Sequence, residues 1–274
     1  MDQWSSTLVT RYETLGAVTG STAGTTVTAH ATANTKGTPV SLGQTTFAWQ
    51  WTTIQLARPN TALVDHCVDI MVDDGAGNRF VLIPDLRLWG RFANFPGVAV
   101  SIPLQVPSGA RLHARASGST GGVTLQVLAT GASNGLRAAP GYPRCRALFT
   151  PANSRGVTIS GGENAKGSWI SLAASTAGTT RAMFAMLGAW DDQARALNHY
   201  LFDLGVGGSG TQHVIVPDIL LCVEGSADIM TDNTLGPWPC NIPAGSTVWA
   251  RSQSTAAVGS TEGMFDMGLY GLGT

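Results

Sequence analysis

Charge, and lysine above all, is what this sequence has least of. Only 12% of its 274 residues are charged, about half the share of an ordinary globular chain. The formal net charge is −1. A balance so sparse and so even provides no electrostatic footprint for nucleic acid or an anionic membrane surface. Long apolar runs are missing too. Val214–Val216 and Ile219–Val223 are strand-length and are separated by Pro217 and Asp218, so nothing approaches the roughly 18 apolar residues of a membrane-spanning helix. Membrane insertion is therefore not expected. The four cysteines, Cys67, Cys145, Cys222 and Cys240, show no CxxC spacing. That removes the pattern of a zinc site or a disulfide framework and leaves mostly buried free thiols as the expectation. The start, Met1-Asp2-Gln3-Trp4-Ser5-Ser6, lacks the basic n-region and apolar run of a secretory signal, and with Met1 present the expectation is a protein not exported by that route.

What the chain does have is repetition. Its only two lysines, Lys36 and Lys166, lie in Asn34-Thr35-Lys36-Gly37 and Asn164-Ala165-Lys166-Gly167. Val40-Ser41-Leu42 and Ile170-Ser171-Leu172 follow, then Asp69 and Asp203. Further on, Val81-Leu82-Ile83-Pro84-Asp85-Leu86 matches Val214-Ile215-Val216-Pro217-Asp218-Ile219, and Pro107, Gly109, Ala114 and Arg115 match Pro243, Gly245, Ala250 and Arg251. The offset drifts only from 130 (Lys36 to Lys166) to 136 (Pro107 to Pro243), as small loop insertions would produce. Collinear blocks of this kind read as an internal duplication.

Each copy reads as all-β. The chain has 34 glycines, no long helical period, and short alternating runs such as Phe47–Leu56 and Val123–Leu128. Turn signals separate these runs: Asp74-Gly75, Gly207-Gly208-Ser209-Gly210, Pro107-Ser108-Gly109 and Pro243-Ala244-Gly245. Strands at such spacing predict two tandem β-sandwich, jelly-roll-like units. The expected organisation is an N-terminal anchor segment over 1–19, unit 1 over 20–131, a linker over 132–151 and unit 2 over 152–274. Asp191–Leu197 is the one stretch with helical character, and it is read as a loop entering a strand. The two Asn-x-Lys-Gly segments are expected to be hairpins with the lysine exposed at the tip.

Catalytic patterns are absent. No GxSxG, HExxH or phosphate loop occurs, and the five histidines are scattered, which predicts histidines on strand surfaces. Asp85 and Asp218 recur in both copies and are expected to bond backbone amides in turns rather than to act as acids. Asp73-Asp74-Gly75-Ala76-Gly77-Asn78 has oxygen ligands at alternate spacing but no distal Glu, so a hairpin is expected there and not a calcium loop. No cofactor, no metal and no enzymatic activity are expected. Trp49, Trp51, Trp169 and Trp249 fall on inferred strands and read as packing residues. Trp89, Phe92, Phe95 and Trp238 lie where the copies diverge, and flat aromatic surfaces suit sugar rings or a protein partner. These four are the candidate binding residues.

The segments Pro84-Asp85-Leu86 with Pro103–Arg115, and Val216-Pro217-Asp218-Ile219-Leu220 with Asn241–Arg251, resemble tail, fibre and head-decoration proteins of bacteriophages and phage-like gene transfer agents. The resemblance implies a virion-surface protein of jelly-roll units, assembled in the bacterial cytoplasm. It also implies a homo-oligomer (a trimer), contacts with other particle subunits and with host polysaccharide, and no nucleic-acid partner. The alternative is a free-standing carbohydrate-binding, lectin-like protein.

Overall fold

The computed structural model describes residues 11–17, 24–57, 64–89, 97–133, 141–150, 154, 156–189, 198–224, 229–230, 234–255 and 264–274. These form strands, turns and bends without a helix, so the all-β expectation holds. The first nine strands are β1 (Arg11–Leu15), β2 (Thr25–Thr28), β3 (Val40–Gln44), β4 (Trp51–Ala57), β5 (His66–Asp73), β6 (Arg79–Leu88), β7 (Gly97–Ile102), β8 (Arg111–Gly118) and β9 (Thr124–Ser133). They make one sheet in the order β1-β9-β4-β7, with β2 also on β9, and a second in the order β3-β8-β5-β6.

The other ten are β10 (Arg144–Ala147), β11 (Val157–Glu163), β12 (Ile170–Ala173), β13 (Thr180–Ala189), β14 (Asn198–Val206), β15 (His213–Glu224), β16 (Ile229–Met230), β17 (Thr234–Ile242), β18 (Val248–Ser254) and β19 (Met264–Gly273). They repeat the same scheme. β10 and β11 pair with β19, which pairs with β13 and then β17, while β12-β18-β14-β15 continues into β16. β11 joins the two halves by pairing at its end with β18. The duplication read from the sequence is thus a duplication of strand order. Arg11–Leu15, within the expected anchor, is a strand of the first sheet, and Arg144–Ala147, within the expected linker, is its counterpart in the second unit. The stretch Asp191–Leu197 lies outside the described residues.

Alternation explains the first unit. Thr52, Ile54 and Leu56 point inward, and Trp51, Thr53 and Gln55 outward. Ile54, Leu56, Val100, Ile102, Leu125 and Val127 of one sheet meet Val68, Ile70, Ile83, Leu86, Leu112 and Ala114 of the other, all at 0–1% exposure. Each such side chain stabilises the fold by about 1.5–3 kcal/mol.

β13 and β19 break the alternating rule. Nearly every described side chain of both is buried, in runs such as Ala182-Met183-Phe184-Ala185-Met186-Leu187. One face closes the core of the second unit, and the other packs on the first. There Phe184 stacks on Tyr270 with centroids 4.7 Å apart, and Phe149 meets the same ring edge-on at 5.3 Å. The Tyr270 hydroxyl donates to the Asp85 carbonyl at 2.5 Å. The Arg87 guanidinium lies 5.0 Å above Phe149, and Ser117 Oγ is 3.2 Å from Ser154 Oγ. Trp89 lies flat on Gly188, where a Cβ would sit 2.1 Å from the indole. Only glycine permits that approach.

Gly188→Ala should therefore destabilise the protein by about 1–3 kcal/mol through overpacking. In urea unfolding, the double variant Gly188→Ala/Trp89→Ala should lose less than the sum of the single variants, because the added methyl enters the space the indole leaves. Additive losses would show that the two residues do not share one contact.

Candidate functional site

The Asn-x-Lys-Gly segments are not hairpin tips. Asn34 (φ 58°) and Asn164 (φ 50°) turn the chain, and Gly37 and Gly167 donate to the carbonyls of Ala116 and Ser252. The lysine is thereby laid inward across the sheet. Lys36 Nζ donates to Asp69 Oδ1 at 2.8 Å and to the Cys67 carbonyl at 3.2 Å, and it pairs with Asp85 Oδ1 at 2.9 Å. Asp69 also accepts the Asp85 amide at 2.9 Å and Arg115 Nε at 2.8 Å. The second copy repeats every link: Lys166 to Asp203 (2.7 Å), to the Leu201 carbonyl (3.2 Å) and to Asp218 (2.8 Å), with the Asp218 amide (2.9 Å) and Arg251 (2.8 Å) on Asp203. Asp85 and Asp218 are held at positive φ, 50° and 47°. Their carboxylates bind lysine rather than turn amides, which corrects the expectation for them.

Each quartet contains two cations and two anions. The ammonium has three donors and three acceptors, so it has no proton left over for a substrate. The quartets are locks, not reactive sites. Their electrostatics agree: burial alone would raise the Asp69 carboxyl, but Lys36, the Asp85 amide and Arg115 outweigh it and hold it below its ordinary 3.8. Asp203 is likewise held low, against burial, by the Asp218 amide, Lys166 and Arg251.

The other reactive candidates are also structural. Burial pushes the Cys67 and Cys240 thiols up to about 11, which suppresses the thiolate. His66 and His113 are buried rather than on strand surfaces. Asp73 and Asp74 accept the amides of Gly75, Ala76 and Asn78, which makes that loop the β5–β6 hairpin. No group of His, Cys, Asp or Glu among the described residues could hold a metal ion.

Of the aromatic candidates, Trp89 is 4% exposed and is taken up by the joint between units. Phe92 and Phe95 lie outside the described residues. Trp238 is half-buried on β17 opposite Met183, against the core. The two that are described, Trp89 and Trp238, meet β13 at different places, Gly188 and Met183.

The structure brings two others together instead. Trp51, expected as a packing residue, is 39% exposed, and Tyr12 is 70% exposed. Both register with Ala132 of β9, one on either side, so the rings stand in one row with a methyl between them, about 10 Å (two strand spacings) apart along the sheet. The next row is Thr14-Thr130-Thr53-Ser101, with its hydroxyls linked at 3.2 and 2.7 Å. The outward positions of β1, β4, β7 and β9 carry no charged side chain. Beneath the face, Glu13 accepts Trp49 Nε1 at 2.5 Å and Thr46 Oγ1 at 2.8 Å, which pins β1 and hence Tyr12.

A groove runs elsewhere on the surface. Three adjoining cavities of about 630, 570 and 420 Å³ share Val72. The first lies at the seam between β6 and β10, the second beside Trp49 and Gln105, and the third between the Asp73-Asp74-Gly75 and Pro107-Ser108-Gly109 turns.

No protein-family model matches the chain, and no curated protein does either. Among solved structures it is similar to PNGF-II (8% identity, TM-score 0.41, 98% of this chain and 66% of that one). It is similar also to a peptide-N(4)-(N-acetyl-β-D-glucosaminyl)asparagine amidase (10%, 0.40, 95% of each chain). A third is the CBM22-1–CBM22-2 tandem domain of Paenibacillus barcinonensis Xyn10C (10%, 0.27, 96% and 91%). An amidase among these neighbours overturns the expectation of a non-enzymatic protein. That expectation rests on missing motifs, and catalytic sites are grafted on folds without needing any one motif. At these TM-scores the likeness assigns no activity, substrate or site.

Asp203→Ala should cost about 3–5 kcal/mol, because it takes the carboxylate from Arg251 and the Asp218 amide and leaves Lys166 with only Asp218 and the Leu201 carbonyl. The two depressed aspartates also set an acid limit. Their stabilisation is complete above the ordinary value of 3.8 and is lost as pH falls through the lower folded values. Urea unfolding free energy should therefore drop below about pH 4, and Asp203→Asn should flatten that slope.

Proposed function

We propose that this protein binds carbohydrate through the outer face of its first sheet. The observation that carries the reading is the row of Tyr12 and Trp51, both exposed, on a face of hydroxyl and amide side chains without charge. Aromatic rings offer a flat apolar surface to the axial C–H face of a pyranose, while Thr14, Thr53, Thr130 and Ser101 offer donors and acceptors to its hydroxyls. Two of the solved neighbours, the CBM22 tandem domain and the peptide-N(4)-(N-acetyl-β-D-glucosaminyl)asparagine amidase, concern the same class of molecule.

The ligand fitted to this face is a neutral, extended saccharide chain, because two rings about two strand spacings apart can each take one sugar of the same chain. The finer expectation, a trimer on a virion surface, rests on the sequence resemblance and is tested by mass in solution: light scattering should give a trimer, and a monomer would remove it.

On a glycan array the protein should bind neutral oligosaccharides. Trp51→Ala and Tyr12→Ala should each weaken binding by about 1–2 kcal/mol, about five- to thirtyfold in Kd, with the melting temperature little changed because both rings are exposed. Wild-type protein that binds no array glycan, or variants that bind as well as wild type, would remove the proposal.

A further inference from the structure

The seam cavity differs in chemistry from the aromatic face. Its floor is Val72, Leu82 and buried Cys145, and Phe80, 57% exposed, stands at its wall. Three of the protein's fourteen arginines, Arg79, Arg144 and Arg146, line it, and no carboxylate does. Arg79 Nε lies 3.8 Å from Asp73 at the edge, too long for a hydrogen bond. Arg146 Nη1 holds the Thr274 carbonyl at 2.5 Å, which orients that guanidinium. In a chain of net charge −1 this is a concentration of positive charge in a concave, partly apolar site of about 630 Å³, a size typical of small-molecule sites.

We infer that this cavity is a second binding site, and that its ligand is an acidic saccharide carrying uronic carboxylates. Guanidinium groups present paired N–H donors that match a carboxylate in fork geometry. Phe80 and the aliphatic floor take the apolar face of the ring that bears it. A neutral sugar is disfavoured, because it would leave the Arg144 guanidinium unpaired as it displaced its water, whereas Arg79 keeps Asp73 nearby and Arg146 keeps Thr274. The site draws on both units, Arg79 and Phe80 from β6 and Arg144 and Arg146 from β10, so ligand binding and the packing of the units are linked. It shares no residue with the Tyr12–Trp51 face and does not depend on that reading.

The test is isothermal titration of the full chain with oligogalacturonate, alginate and hyaluronan oligosaccharides, each against its carboxyl-reduced counterpart. At least one acidic oligosaccharide should bind about tenfold or more tightly than its neutral form, and Arg79→Ala/Arg144→Ala should remove that difference. Both side chains are exposed enough for the variant to fold, which its melting curve checks. Trp51→Ala should leave acidic binding unchanged. Equal binding of acid and reduced forms, binding of neither, or acidic binding that survives the double arginine variant overturns the inference. Loss of acidic binding in Trp51→Ala also overturns it, by placing the acid on the aromatic face. Array binding lost with Trp51 but retained in the arginine variant would leave the first proposal standing in each case.

Discussion

Because β13 and β19 bury side chains on both faces, the surfaces left for a ligand are decided before any loop is considered. An antiparallel sheet commonly keeps one face in water. Here the central pair gives up that freedom to join two units, and the β3-β8-β5-β6 sheet gives up its outer face with it. Cys67, Asp69, Arg87 and Ser117 are all buried on that face. The outer face of β1-β9-β4-β7 and the seam where β6 meets β10 stay open, as does the β15 side of the second unit, where Val214, Asp218 and Leu220 are exposed. The aromatic row and the arginine-lined cavity sit in the first two of these places.

The quartets show how one local design tolerates both environments. Asp69 lies under the joint, with the Asp85 carbonyl taken by Tyr270, whereas the Asp218 side chain is 64% exposed. The bonds are nevertheless the same to within a tenth of an ångström. A closed set with no net charge asks little of its surroundings, since each buried oxygen and ammonium proton is already paired. A lone aspartate at the bulge, or a lysine with one partner, would have forced the two copies apart in structure.

Much of this was legible in the residues. Lys36, Asp69, Asp85 and Arg115 recur in step as Lys166, Asp203, Asp218 and Arg251, and their recurrence marks the parts of the fold that cannot vary. Their mutual contact was not legible, because the four are 16 to 79 residues apart and it takes the pairing of β5 with β6 and β8, with Gly37 bonded to Ala116, to bring them together. The joint left a signal in the unbroken apolar run Ala182–Leu187, where β4 alternates. A strand buried on both faces reads that way. The candidate aromatics were misplaced for a related reason. Divergence between copies marks Trp89 as special, but in a duplicated protein the joint must differ between copies as surely as a binding loop must. Parity along β4 identifies Trp51 as outward-facing, opposite in sense to Ile54 and Leu56, yet parity cannot say which face of a sheet a second unit will cover.

Charge placement follows from the same economy. With so few charged residues, the two quartets alone engage both lysines, two arginines and four aspartates. Those charges cancel at short range and project little field. Arg79, Arg144 and Arg146 take no part in the locks, and with Asp73 beside Arg79 they still outnumber the aspartate at the seam. The outer aromatic face lies in the opposite regime, with hydroxyls and rings but no charge to attract or repel. The two open surfaces thus select on different physical terms, one on ring stacking and hydroxyl pairing and the other on a carboxylate.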